Sequence, residues 1–224
     1  KEQNKIMQKK YIALVSLVAS FLISSSGPAL AQEETVTASD LGVSNPGVLP
    51  TSPFYFFKEM GRGMQGFFTF SPVAKAELEL KITNEKAAEI KKITETQPEK
   101  IEAIQKALEN YRKSQEKLRI RFEKLSETSQ NPKVDALLNN LTDKVVKHEK
   151  LFDEIALKFK DQGGVSKAAN DTAAGSENII GEASKKDEPA KFAARLEKVL
   201  LEGKDGDLKN IRSVEIIDRL SDKT

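Results

Sequence analysis

Two stretches of this chain repeat apolar positions at alternating steps of three and four. In the first, over 98–128, the positions are Ile101, Ile104, Leu108, Tyr111, Gln115, Leu118, Phe122 and Leu125. In the second, over 132–160, they are Val134, Leu138, Leu141, Val145, His148, Phe152, Ile155 and Phe159. That period places each set on one face of an α-helix. Two such seams joined by the short connector Glu127–Asn131 predict near-antiparallel neighbours packed in coiled-coil fashion. Folding the seams about the connector sets Leu125 against Val134, Phe122 against Leu138 and Leu118 against Leu141. Gln115 then falls level with Val145, and Tyr111 with His148. A weaker stripe of Ala76, Leu80, Thr83, Ala87 and Ile90 predicts a third, closely packed helix over 72–95.

Proline marks where helices begin. Of eight prolines, five precede helix-forming stretches: Pro53, Pro72, Pro98, Pro132 and Pro189. Proline suits the first helical turn because its missing N–H has no partner there. Ser52, Ser71 and Asn131 stand before three of them as N-caps. Helices are predicted over 53–68, 72–95, 98–128, 132–160, 189–202 and 207–221, and no stretch alternates with the period of a strand. Residues 161–188 carry Gly163, Gly164, Gly175 and Gly181 among Ala, Ser, Asn and Asp, the composition of a flexible linker. Beyond it, Phe192, Leu196, Val199 and Leu200, then Leu208, Ile211, Ile217 and Leu220, predict a helical hairpin turning at Asp205–Asp207. The expected fold is all-α. An antiparallel, coiled-coil-like three-helix bundle lies in a domain over 53–160, capped by an N-terminal aromatic helix. A C-terminal helical hairpin over 189–224 follows the flexible linker 161–188.

The first 31 residues follow a different rule. Lys9 and Lys10 precede the uncharged run Tyr11–Ile23, and Ala29-Leu30-Ala31 ends the segment with small residues. This is the order of a secretory signal peptide. The run of 13 residues is short of the roughly 20 that a comfortable membrane-spanning helix requires. Residues 1–31 are therefore expected to be a signal peptide cleaved after Ala31, with a linker over 32–52. Retention of the leader as an anchor is the alternative. Export places the protein in the periplasm, outside the cell, or attached to the envelope.

Charge and composition narrow the function. The leader holds four of 36 basic and one of 34 acidic residues, so the remainder is balanced at 32 against 33. No basic field is left to hold nucleic acid. There is no cysteine, which excludes disulfides, thiolate metal sites and a cysteine nucleophile. His148 is the single histidine. A serine triad has no other base, and neither a Gly-x-Ser-x-Gly elbow nor a phosphate-binding glycine loop occurs. Asp205-Gly206-Asp207 is too short for a calcium loop. The chain is expected to be no enzyme and to need no cofactor and no metal. Tyr111, Gln115 and His148 are expected to form a polar core that sets helix register, as single buried polar residues do in coiled coils.

Seven of 14 aromatic residues fall between Phe54 and Phe70. The stretch runs Leu49-Pro50-Thr51-Ser52-Pro53-Phe54-Tyr55-Phe56-Phe57-Lys58, then Phe67-Phe68-Thr69-Phe70-Ser71-Pro72, and Lys75-Ala76-Glu77 opens a long charged helix. Lys147-His148 and Leu151 follow later. In these features the chain resembles the bacterial domain of unknown function 5667, over roughly residues 46–160. The resemblance implies an exported or membrane-tethered bacterial helical protein and carries no chemistry with it.

The candidate interaction or packing residues are Phe54, Tyr55, Phe57, Lys58, Phe67, Phe68 and Phe70. One reading makes Phe57, Met60, Met64 and Phe67 a plug for the open end of the bundle. The other lays this short helix in a membrane interface. The expected function is an exported, non-catalytic scaffold or interaction module of the bacterial envelope with a protein partner there. The alternatives are a peripheral membrane-binding protein using 53–70, and an envelope sensor or ligand binder.

Overall fold

The computed structural model describes residues 35–202. Among them are six helices and no strand: α1 Tyr55–Phe67, α2 Pro72–Thr96, α3 Ile101–Glu123, α4 Pro132–Lys158, α5 Gly163–Ser184 and α6 Pro189–Glu202. Proline opens α2, α4 and α6. Asn131 caps α4 by accepting from the Lys133 backbone N–H at 2.9 Å. Pro98 instead sits in the tight turn between α2 and α3, so α3 starts at Ile101. The signal peptide expected at 1–31 and the second hairpin arm at 207–221 lie outside the described residues.

The long helices form a four-helix bundle, not the expected three. α2 packs on α3 and α4, and α5 packs on the same two. Consequently α3 and α4, expected as neighbours, face each other along a diagonal of the bundle. Their seams still meet on the axis: the Tyr111 and Phe152 ring centroids are 4.6 Å apart. The Lys124–Asn131 connector carries the chain across that diagonal, which makes α2 parallel to α4 and α3 parallel to α5. Lys158 at the end of α4 donates to the Thr94 carbonyl near the end of α2 at 2.6 Å. Ser129 N–H donates to the Lys186 carbonyl at 2.8 Å, tying the connector to the end of α5.

The fourth helix is the segment expected to be a flexible linker. Val165, Ala169, Thr172, Ala173, Ser176, Ile179, Ile180 and Ala183 recur at helical spacing and are buried. Glycine in a helix costs about 1 kcal/mol relative to alanine. At Gly164 and Gly175 close packing offsets it, because α3 side chains occupy the space of the absent Cβ. A Cβ at Gly175 would stand 2.9 Å from Gln115 Oε1, and one at Gly164 would collide with the Gln105 amide. Small residues mark a close helix approach in this segment, not a loose chain.

The hairpin's first arm is likewise not tethered but docked. Phe192 and Leu196 of α6 are fully buried in the core cluster that holds Val134, Leu137 and Leu138. Arg195 pairs with Asp135 and, at 2.7 Å, with Asp187. The expected linker 32–52 also packs over its described part: Val36, Leu41 and Val43 join the core beside Ile90 and Leu151.

The core has two apolar halves. One centres on Ile93, Leu108, Tyr111 and Phe152, the other on Leu80, Leu118, Phe122, Leu138 and Ile179. Each large side chain buried there contributes roughly 1.5–3 kcal/mol before ordering entropy. Between the halves lies a buried polar layer: Thr83, Ser114, Gln115, His148, Thr172 and Ser176. Because α5 closes both halves, its amides should exchange with solvent only on global opening. Hydrogen exchange at Ala169–Ile180 should run more than about a thousandfold slower than in an unstructured chain, since global opening costs at least ~5 kcal/mol. Linker-like exchange there would show that α5 is not part of the bundle.

Candidate functional site: an outward-facing aromatic helix

α1 is amphipathic, and its polar side is the one turned inward. Tyr55, Lys58, Glu59 and Arg62 recur at steps of three and four and so share one face. That face lies on α2, whose Glu85, Lys86 and Glu89 answer it. Glu89 is 1% exposed. Its carboxylate accepts from Tyr55 Oη and Arg62 Nη2 and forms an ion pair with Lys58 Nζ, each at 2.6 Å. Arg62 also donates to Glu85 through Nε at 3.2 Å and Nη2 at 2.8 Å, and to Glu59. Lys86 Nζ closes the ring on Glu59 at 3.2 Å. Lys58 reaches further and donates to the carbonyls of Pro46 and Val48, which fastens the strap before α1.

The charges stabilise one another inside this contact. Burial opposes the charged form of Arg62, but Glu89 foremost, then Glu85 and Glu59, hold its pKa above the ordinary value. Burial and the adjacent Glu89 raise the Tyr55 pKa, so the phenol stays protonated and donates. Burial pushes Glu59 up, yet hydrogen bonds and charge from Arg62 and Lys86 bring it below the usual carboxylate value.

With the polar side inward, the apolar side has nowhere to go but out. Phe54, Phe56, Phe57, Met60, Met64, Phe67, Phe68 and Phe70 are between 48% and 79% exposed. Phe56 with Phe57, and Phe67 with Phe68, make edge-on ring pairs with centroids 5.8 and 5.3 Å apart. The plug reading is therefore corrected. The core is already filled by α2–α6 and the strap, and α1 offers it only charge. Of the residues singled out by sequence, Tyr55 and Lys58 point inward, whereas Phe54, Phe57, Phe67, Phe68 and Phe70 point to solvent. Arg62, Glu85 and Glu89 were not among them. Their signal was there: Lys58 and Arg62 are four apart, and so are Glu85 and Glu89.

The family model described as Domain of unknown function (DUF5667) matches residues 47–187, from the strap through α1 to the turn after α5. The chain belongs to this family. No curated protein and no solved structure matches it. The DUF5667 match ends before α6 and begins after Val36 and Leu41, so its span holds α1, the ion network and the whole four-helix bundle.

The second group of candidate residues lies in the polar layer of the DUF5667 bundle. Tyr111 Oη is 2.8 Å from His148 Nδ1. Gln115 turns to α5 and donates through Nε2 to the Thr172 carbonyl at 3.1 Å. His148 is buried, and its Nε2 has no hydrogen-bond partner among the described residues. Burial foremost, with the charge of Lys144, depresses its pKa from 6.5 to about 3. Among the described residues no group of three His, Cys, Asp or Glu side chains could hold a metal ion. The layer is built for a neutral imidazole inside a bundle.

Two outcomes follow from these contacts. Replacing Glu89 with Gln removes the charge that Lys58 and Arg62 share, so α1 should lift while the bundle stays folded. Exchange of the 55–67 amides should rise at least about tenfold, for a loss of ~1.4 kcal/mol, with α2–α5 unchanged; equal protection in both proteins would show that the network does not hold α1. The histidine sets an acid limit. Between pH 6.5 and about 3 the unfolded chain binds a proton that the folded His148 refuses, so stability falls as pH drops through that window, by up to ~1.4 kcal/mol per unit. A His148→Gln variant should flatten the slope in urea titrations across this range, and an unchanged slope would assign it to other groups.

Proposed function

We propose that this protein is a non-catalytic helical module of the cell envelope that docks on a lipid bilayer through the outward face of α1. The observation that carries the reading is the inversion of α1: Phe56, Phe57, Met60, Met64 and Phe67 of the helix, with Phe54, Phe68 and Phe70 flanking it, stand in solvent while every cation of the helix is turned inward. The exposed face carries no acidic residue. It is a convex ridge about 20 Å long for 13 residues. A folded protein partner would need a groove cut to this ridge. The interfacial zone of a bilayer takes Phe and Met side chains without matching their shape, to a depth of about 5–10 Å. Among the described residues no helix is long and apolar enough to cross a membrane, so α1 would lie along the surface.

The signal-like leader supports an envelope location, where such a surface is close. The rest of the bundle then serves as a rigid body that presents its charged faces to other envelope components. Because Lys58 and Arg62 are engaged by Glu89, attraction to anionic lipid plays little part. Binding should depend on apolar area and be insensitive to salt.

The chain has no tryptophan, so a single one reports cleanly. In full-length protein, Phe67→Trp should show a blue-shifted emission with phosphatidylcholine vesicles and be quenched by brominated acyl chains. Leu157→Trp, exposed on α4, should show neither. Adding Phe57→Ser and Met64→Ser to the Phe67→Trp protein should weaken partitioning at least about tenfold, or ~1.4 kcal/mol. An unshifted Phe67→Trp spectrum would sink the membrane reading. If sedimentation then showed a dimer that the serine substitutions abolish, a second copy would be the occupant of the ridge.

A further inference from the structure

Beside α1 the strap bridges α2 and α4, and a cavity of about 670 Å³ lies beneath Gly42–Val48. The strap's path is fixed by the chain itself. Gly42 and Gly47 hold φ of 74° and 66°, where only glycine sits without strain. A Cβ on Gly42 would press on Lys144 Cε at 3.1 Å. Lys144 donates to the Asp40 carbonyl at 2.8 Å and pairs with Asp143 at 2.9 Å. Lys58 binds the Pro46 and Val48 carbonyls and Glu89. Both lysines are thus committed to holding the strap down.

The α2 wall of the cavity is different. Glu77, Lys81 and Asn84 stand four and three residues apart, on one face of the helix. Neither Glu77 nor Lys81 forms an ion pair among the described residues. Asn84 is only 7% exposed, and its Oδ1 has no hydrogen-bond partner among them. A buried amide left unpaired costs about 1–3 kcal/mol. Asn84 lines the cavity, so its amide is within reach of a group that enters there. Rotation about χ2 exchanges the two ends of the amide, so it can offer donor or acceptor to an incoming group.

The uncommitted groups sum to zero charge: one carboxylate, one ammonium, and the amides of Asn84 and, across the cavity, Asn140. A charged ligand would meet opposition from Glu77 or Lys81. Adjacent hydroxyls can satisfy both ends of one amide, because each both donates and accepts. We infer that the cavity under the strap binds an uncharged polyhydroxylated ligand, a saccharide of one or two rings, with Asn84 as the recognising amide and Glu77 and Lys81 accepting from and donating to its hydroxyls. The volume falls in the range of small-molecule sites, about 300–1,000 Å³. A free saccharide and the sugar headgroup of a glycolipid share this chemistry. The site stands without the membrane reading, which bears only on the second source.

The test follows the Asn84 side-chain amide by 1H–15N NMR in the full chain. One arm titrates glucose, N-acetylglucosamine and maltose; the other adds phosphatidylcholine vesicles with and without a glucosyl diacylglycerol. At least one probe should move the Asn84 amide and the Gly47 N–H saturably. In Asn84→Leu and in Lys81→Ala, followed through Gly47, the affinity should drop at least tenfold. The melting temperature of Asn84→Leu should hold or rise, because an unpaired amide has been removed. A response to soluble sugars that glycolipid vesicles do not improve assigns the free saccharide. A tenfold gain with glycolipid over plain vesicles assigns the headgroup. No saturable shift in either arm, or equal affinity in Asn84→Leu, overturns the site. A failure of the membrane reading would silence only the vesicle arm.

Discussion

The carboxylate of Glu89 decides which way the first helix faces. It is shut off from water, takes one hydrogen bond each from a phenol and a guanidinium, and forms an ion pair with an ammonium. A buried charge is tolerable only when it is paired and its lone pairs are used. Here the pairing comes from a separate helix, so satisfying Glu89 means laying α1 on α2 with Tyr55, Lys58 and Arg62 inward. The helix has a single apolar side, and that side is left facing solvent. The exposed aromatic ridge is thus the consequence of a polar contact, not of a failure to bury apolar surface. Burying those phenylalanines in the bundle would strand Glu89 and its three donors.

The same logic explains the strap. Lys58 belongs both to the Glu89 cluster and to the carbonyls of Pro46 and Val48. The entry of the chain into α1, the roof of the cavity and the orientation of the ridge are therefore coupled through one side chain. On the far side Lys144 repeats the arrangement with the Asp40 carbonyl. Two lysines that look in sequence like ordinary solvated charges act as clasps for backbone that has no secondary structure of its own.

Much of the fold was legible because it rests on local periodicity. The seams of α3 and α4 and the prolines at 72, 132 and 189 mark real helices, and Tyr111 does meet His148. What could not be read was which helices are neighbours. Seam residues point at the bundle axis, and a diagonal partner meets the axis as well as an adjacent one does. Adding α5 turned the adjacent pair into a diagonal pair without moving a single seam residue off the axis. α5 itself was hidden because, between Val165 and Ile179, its buried face is written in alanine, serine and threonine, with Gly164 and Gly175 beside it. Those residues signal a linker when their neighbours are unknown and a close helix contact when Gln115 and Gln105 lie opposite. The aromatic segment was conspicuous, but its direction was not. An amphipathic pattern gives two faces and leaves open which of them is buried, and only the acidic pair on α2 settles it.

The central polar layer raises the opposite question, since it is buried and costs stability. His148 and Ser176 each keep a polar atom with no partner among the described residues, and an all-apolar layer would be more stable. A uniformly apolar four-helix core, however, tolerates shifts by a turn, because one leucine fits a neighbour's hole as well as its own. The Tyr111–His148 bond and the seat of Gln115 against Gly175 exist in only one register of α3, α4 and α5. A shift by one turn would bury all three polar side chains against hydrocarbon. The layer thus links α3 to α4 and α3 to α5 at one level of the bundle. The strap and α1 dock on α2 and α4 from outside through polar contacts of definite geometry, so precise placement of the bundle beneath them is what lets the outer contacts close.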